Sequence, residues 1–309
     1  MLPNLIKTFR TNQINIDLKH KIKIPKSYQN LADRMKVQQS IALDKFYEQA
    51  WKRYVKVSPD APIIHQLLEK RGEKIINDHV ALRTFNLPGI DRKTLGNVFT
   101  KYGYMKSPET LQFSEKKLVA DYYLHPNPLQ PRVFISELIV EQMPNKMRRW
   151  IYDLTKDTRA ELSAKQLCLS LFLHPSWNAV KYRDYQEFYP ISEYASWTAA
   201  FGLQINHFTV SHHYLKSFNT LEGLNSLIKK NGIELNQEGG EIKGDLNSPL
   251  RQSSTISKLI PHYFADGIPG CYYEFANRSK IQKYHIFYEG FIAKNADNIF
   301  LSTRIAALL

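Results

Sequence analysis

The chain has 309 residues, 43% of them apolar and 23% charged; this is the balance of a folded protein with room for a large core and excludes a disordered chain. Its formal charge of +13 is spread along the sequence without a nucleic-acid motif of defined spacing, so the excess reads as a Lys-rich solvated surface and argues against a nucleic-acid partner. Cys168 and Cys271 lie far apart and form no CxxC pair, which argues against a disulfide framework or a cysteine zinc site and fits a reduced, cytoplasmic setting.

The N-terminus carries Lys7 and Arg10 but no apolar core or cleavage site, and no apolar run approaches the roughly 18 residues that span a bilayer. Neither export nor a membrane span is expected. "KHKIKIPK" from Lys19 to Lys26 reads as an arm over the surface. Residues 39–56 then place Leu43, Phe46, Tyr47, Ala50, Trp51 and Tyr54 at helical spacing, which predicts a helix with one buried face. "SPDAPIIHQLLEKRG" predicts a second helix with Ser58 as N-cap, Pro59 at the first helical position and Gly72 as the stop.

"NDHVALRTFN", residues 77–86, alternates like a strand. Val80 and Leu82 share one face, which reads as core, and His79, Ala81 and Arg83 share the other. Four strand steps put the imidazole and the guanidinium about 13 Å apart, with only a small alanine between them. That leaves room for a ligand.

A helix capped by Asp91 and ending at Gly103 follows, burying Leu95, Val98, Phe99 and Tyr102. Strands are expected near residues 111–113, at 116–125 and at 132–140 ("RVFISELIV"), giving the order βαβββ. Residues 141–203 read as a helical insertion. The pattern then restarts. "QINHFTV" at 204–210 alternates with His207 and Thr209 on one face, a helix runs from Thr220 to Lys230, and strands are expected at 233–236, 248–255 and 270–278. Long-period repetition outweighs local features in reading a fold, and here His79 precedes Glu137 by 58 residues while His207 precedes Glu274 by 67.

Glu137 shares a strand face with Val133, Ile135 and Ile139, and Glu274 sits beside Tyr273 and Phe275. A carboxylate on an apolar face is costly unless it is paired, protonated or bound to a cation. If two βαβββ units curl against each other, their first and last strands bring His79, His207 and a glutamate together. Two imidazoles and one carboxylate with open positions suit non-haem Fe(II), and the same donors take Zn(II), Ni(II) or Mn(II). Glu137 is read as a fourth ligand, a carboxylate orienting a histidine, or a salt-bridge partner, the second being preferred. Arg83 reads as a carboxylate clamp. His212, His213, His262 and His285 read as structural or surface residues.

Together "DHVALRTFN", "ISELIV", "NHFTV", "QSST" and "PGCYYEFANR" resemble the 2-oxoadipate dioxygenase/decarboxylase (hydroxyglutarate synthase) family, which is related to the vicinal-oxygen-chelate proteins. The similarity runs from about residue 38 to residue 302. It implies an iron site on His79, His207 and Glu274, with Arg83 holding the substrate. It further implies conversion of a 2-oxo acid, 2-oxoadipate in the family, with O₂ to 2-hydroxyglutarate and CO₂. The chain is shorter than some members, so no contacts are carried over from the C-terminal substrate wall, and the strand register of Ser253, Ser254 and Thr255 stays open.

The sequence therefore predicts an α+β protein in which two βαβββ modules form a curved mixed sheet around a metal cleft. Residues 1–76 form the N-terminal arm and helices, 77–140 the first module, 141–203 the insertion and 204–309 the second module with a C-terminal extension. The rival readings are a glyoxalase-like metal-dependent isomerase or lyase and a non-catalytic binder of small acids on the same scaffold. Oxygen consumption separates the first of these from a dioxygenase.

Overall fold

In the computed structural model, β1 (Asn77–Phe85) and β5 (Ile205–Ser211) lie side by side and antiparallel, with His79 opposite Thr209 and Ala81 opposite His207. Each has its own module's last strand on its outer side, in parallel register: β4 (Arg132–Leu138) beside β1 and β9 (Tyr272–Arg278) beside β5. β2 (Met105–Phe113) and β3 (Leu118–Leu124) extend one edge and β6 (Leu250–Ser254) the other, so the seven-stranded order is β2-β3-β4-β1-β5-β9-β6. The structure describes residues 26–164, 167–261, 267–281 and 286–303. The Lys7 and Arg10 segment, nearly all of the expected arm, and both His262 and His285 fall outside the described residues.

Two helices begin the described chain, α1 (Lys26–Tyr54) and α2 (Asp60–Glu69). α1 lays Trp51 and Tyr54 against the sheet, where their rings pack on Phe208 at 5.3 and 5.0 Å, and Phe46 packs on Phe99 and Phe172. α2 departs from the expected start: Pro59 takes the cap position and no side chain caps the helix. The Ser58 carbonyl accepts the Ala61 N–H, so the backbone satisfies the donor that the Ser58 hydroxyl was expected to take. α3 (Arg92–Thr100) starts as its sequence predicts, with Asp91 accepting from the N–H groups of Lys93 and Thr94. It packs very closely on β3, where a Cβ at Gly96 would lie 1.8 Å from the Tyr123 hydroxyl.

The insertion contributes α4 (Asn145–Ala164), α5 (Tyr182–Phe188) and α6 (Glu193–Phe201). α6 is buried on every side; the Trp197 indole donates to the Gly270 carbonyl and the Tyr194 hydroxyl to the Ser136 carbonyl. In the second module α7 (Leu221–Lys230) is capped by Thr220. The strand expected at 233–236 is reduced to one bridge between Leu235 and Thr255. The stretch after it is rich in glycine, and Gly239, Gly240 and Gly244 all have positive φ, so no continuous extended run can form there. Short strands β7 (Leu259–Ile260) and β8 (Ile268–Pro269) pair with each other, as do β10 (Lys280–Ile281) and β11 (Ile286–Phe287). α8 (Ala293–Ile299) and a 3-10 turn, Phe300–Thr303, follow. Among the described residues no helix is long and apolar enough to cross a membrane.

The sheet therefore has two different covers. Its outer face carries Val80, Leu82, Phe208 and Phe275, all buried under helices. Its inner face carries His79, Arg83, His207 and Glu274 beneath α6, α8 and the 3-10 turn.

Candidate metal centre

His79, His207 and Glu274 converge on the inner face at the junction of the two modules. The Nε2 atoms of the two histidines are 3.4 Å apart, and Glu274 places Oε1 3.5 Å from His79 Nε2 and Oε2 3.1 Å from His207 Nε2. Two donors each about 2.1 Å from one ion stand about 3.0 to 3.4 Å apart at octahedral to tetrahedral angles, so the spacing fits a single cation. All three side chains are buried, and Glu274 Oε2 has no hydrogen-bond partner. Three buried donors with an orphaned carboxylate oxygen among them are the donor set of a metal site.

Two irregularities in the β1–β5 ladder orient the histidines. Between the Asn77–Val210 and His79–Thr209 pairs Asp78 is the extra residue on β1; between Ala81–His207 and Leu82–Ile205, Asn206 is the extra residue on β5. Such bulges turn a side chain that would otherwise point to the far face. Asp78 Oδ1 lies 2.8 Å from His79 Nδ1, and Asn206 Oδ1 lies 3.2 Å from His207 Nδ1. An acceptor on each Nδ1 keeps its proton there and leaves both Nε2 lone pairs for an ion. Asp78 is in turn gripped by Arg278 through two bonds of 2.7 and 2.8 Å, and Arg132 lies 3.4 Å away. On the carboxylate side the Gln252 amide donates to Glu274 Oε1 at 2.6 Å, and Asn295 of α8 donates to Gln252 Oε1 at 3.3 Å.

Burial alone would raise the Glu274 carboxyl, but His79 and His207 beside it bring it well below the ordinary range. Burial works to lower His79 too, yet Glu274 and Asp78 outweigh it and its pKa is raised. Burial wins at His207, whose pKa is lowered despite Glu274. The proton of the ion-free triad thus belongs on His79.

Arg83 lies on the same strand face as His79 but does not touch the triad. One terminal nitrogen donates to Glu193 at 2.9 Å, and the other to Thr303 Oγ1 at 3.1 Å and the Phe300 carbonyl at 3.4 Å. Its guanidinium also faces the rings of Tyr194, Trp197 and Phe300 at 5.0, 5.1 and 5.8 Å. Glu137, expected beside the histidines, belongs elsewhere. It pairs in register with Thr84, one step out of phase with Arg83, so its carboxylate emerges on the outer face and is taken by the backbone N–H and guanidinium of Arg92. The salt-bridge alternative is the one the strand's period-2 geometry enforces. His212 and His213 are likewise off the triad; the His213 ring packs on Phe287 at 4.2 Å and burial pushes its pKa down to about 4. Ser254 bonds Ser302 on the inner side, whereas Ser253 bonds Asn225 of α7 on the outer side.

A small chamber of about 20 Å³ opens on the triad, walled by Phe134, Gln252, Tyr272, Phe291 and Phe300. That is space for one water-sized particle. The Phe291 ring meets the His79 ring edge-on at 4.9 Å, and the Tyr272 ring stacks on His207 at 4.6 Å.

The sequence pattern of the family described as 2-oxoadipate dioxygenase/decarboxylase matches residues 34–283. The chain belongs to this family. It is 38% identical over 261 residues to the chloroplastic 2-oxoadipate dioxygenase/decarboxylase of Arabidopsis thaliana, covering 75% of this chain and 69% of that protein. Among solved structures, the hydroxyglutarate synthase of Oryza sativa in complex with 2-oxoadipate is 32% identical with a TM-score of 0.78, covering 86% of this chain and 92% of that one. A glyoxalase superfamily protein from Ralstonia eutropha JMP134, 16% identical with a TM-score of 0.65 over 82% of this chain and 87% of that one, shares the fold. The α+β architecture, a curved mixed sheet with helices, is therefore a fold shared with both of these structures.

The family match holds all three donors and Arg83 and stops before α8 and the 3-10 turn, the segment that closes the chamber. Sequence reasoning missed Asp78, Asn206 and Gln252. For the first two a signal existed: each histidine directly follows an Asp or Asn, in "NDHV" and "INHF". Nothing marked Gln252 before the pairing of β6 with β9 was known.

Proposed function

We propose that this chain is an Fe(II)-dependent dioxygenase/decarboxylase that converts 2-oxoadipate, or a 2-oxo acid close to it, with O₂ to 2-hydroxyglutarate and CO₂. The observation that carries the reading is the convergence of His79, His207 and Glu274 on one ion-sized point beside a chamber otherwise walled largely by aromatic rings. Membership of the family, and the 2-oxoadipate complex of the Oryza sativa relative, supply the substrate class.

When bound, the ion supplies Lewis acidity toward the 2-oxo acid and one-electron chemistry toward O₂. The protein's own part is positional. The Nε2 atoms of His79 and His207 and a Glu274 oxygen would hold the ion, beside the chamber that Phe134, Phe291 and Phe300 wall. Asp78 and Asn206 fix both imidazoles as Nε2 donors. Arg83, a step behind the chamber wall, pairs with the distal carboxylate of a dicarboxylic substrate, and the aromatic walls exclude water. The chamber is far below the roughly 300 Å³ of a small-molecule site, so binding of the acid requires the α8 wall to move outward. No second 2-oxo acid is consumed, because the substrate carries its own.

The test is incubation of Fe(II)-loaded protein with 2-oxoadipate, anaerobically and in air, with CO₂, O₂ uptake and organic acid followed together. The expected result is equimolar O₂ uptake and CO₂ release in air and neither without oxygen. Turnover that is independent of oxygen would favour an isomerase or lyase instead, and binding without CO₂ release a non-catalytic acid binder.

A further inference from the structure

Resting on that reading, the structure assigns a further substrate-binding residue: we infer that the Tyr272 hydroxyl, together with the Nε–H of Arg83, receives the distal carboxylate and sets the preference for a dicarboxylic over a monocarboxylic 2-oxo acid. Tyr272 lies two residues before Glu274 on β9, on the same strand face, directly opposite His207. Its ring forms one wall of the chamber and stacks on the His207 imidazole. Its hydroxyl is fully buried and donates to no acceptor.

Arg83 shows the same deficit. Both terminal nitrogens are taken by Glu193, Thr303 and the Phe300 carbonyl, yet Nε is buried without a partner. The two groups lie within reach of each other, but a guanidinium can only donate, so the Tyr272 O–H still lacks an acceptor. Buried donors are nearly always satisfied, and an orphan is a reason to look for what satisfies it. Here two donors, one of them cationic, stand together at the Tyr272 wall of the chamber and just behind it. An anionic oxygen is the acceptor that serves both, and a carboxylate is the group that a six-carbon diacid held by its other end at the metal would bring there. Glu193 and Thr303 act on this contact through Arg83: they hold the guanidinium so that Nε stays turned away from them.

The experiment compares wild-type protein and Tyr272→Phe with 2-oxoadipate and with 2-oxohexanoate, which has the same chain length and no distal carboxylate. Kd is measured by calorimetry on Zn(II)-loaded protein without oxygen, metal content by elemental analysis, and kcat and KM on the Fe(II) form. Loss of one hydrogen bond to a charged group predicts a Kd and KM for 2-oxoadipate raised about tenfold. Values for 2-oxohexanoate should stay within about twofold, with kcat and metal content unchanged. Equal weakening of both acids, loss of metal, or no change with either acid would overturn the assignment, since a residue that merely supports His207 would act on both. If wild-type protein binds 2-oxoadipate without turning it over, the dioxygenase reading fails while the calorimetric comparison still decides the role of Tyr272; if it binds neither acid, both fall.

Discussion

Phe134 occupies in the first module the place that Glu274 occupies in the second. Ala81, two residues after His79, faces Phe134 across β1 and β4; Thr209, two residues after His207, faces Glu274 across β5 and β9. The repeat therefore offers four ligand positions and fills three, leaving an aromatic ring where a fourth donor would close the coordination sphere. Phe134→Glu should supply that donor. Metal should survive chelator dialysis better than in wild type, while O₂ uptake with 2-oxoadipate should fall about a hundredfold, because a chelating acid and O₂ need three positions and only two would remain. Wild-type turnover in this variant would show that position 134 does not face the ion.

His79→Ala or Glu274→Ala should leave the purified protein without stoichiometric metal and without turnover. Each removes one of only three donors, and in the second case two imidazoles remain with no charge to balance a divalent ion. Metal content of either variant equal to wild type would refute the ligand assignment. The fold should persist, because the backbone pairings of β1, β5 and β9 do not involve these side chains.

Asp78→Asn separates orientation from ligation. The His79 ring keeps an acceptor, but the charge that strengthens its Nε2 is gone and Arg278 loses its paired carboxylate. Metal affinity should fall about 10- to 100-fold, and stability by about 3 kcal/mol, since Arg278 and Arg132 are left buried with less compensation. Competition with a chelator and a urea titration measure the two. An unchanged metal affinity beside a large stability loss would make Asp78 a structural anchor alone.

These cases mark how far the sequence could be read. The alternation in "NDHVALRTFN" and "QINHFTV" placed both histidines on inward faces because strand period is a local property, and the repeat of modules located the carboxylate strand. Glu137 and Glu274 looked equivalent because both follow their histidine at similar distance. Their difference lies in register: Glu137 pairs with Thr84 and Glu274 with Thr209, one out of phase with its histidine and the other in phase. Register between strands more than fifty residues apart is set by packing of the whole sheet, and a shift of one residue reverses every side chain. The bulges at Asp78 and Asn206 were invisible for the same reason, and so was the closure of the chamber by Phe291 and Phe300 from beyond the second module.

Arg83→Lys should act on substrate capture. The ammonium keeps the charge but loses the planar fork that bonds Glu193 and Thr303 together and the face that lies over Trp197. KM for 2-oxoadipate is expected to rise roughly ten- to a hundredfold with kcat within about threefold, and metal content should not change, because Arg83 makes no contact with the triad. A drop in kcat at constant KM would instead give Arg83 a part in the transition state.

Metal removal and pH should be coupled through His79. In the ion-free protein its pKa is raised, so its contribution to stability is complete below the unfolded value of about 6.5 and is lost as pH rises through the folded value. The Glu274 pKa is depressed, so its contribution is present above the unfolded value of about 4.3 and is lost only as pH falls through its folded value. The proton on His79 and the carboxylate of Glu274 therefore support each other between about pH 4.3 and 6.5, and that support fades as pH rises through the folded value of His79. A divalent ion takes over the same role but must displace the proton, so its binding strengthens as the proton leaves. The rise in Tm on adding Zn(II) to chelator-treated protein should be small near pH 5 and reach about 5 °C or more near pH 8. Thermal scans at both pH values with and without the ion measure it. An increment that is constant, or largest in acid, would mean that the ion and the proton do not compete for His79.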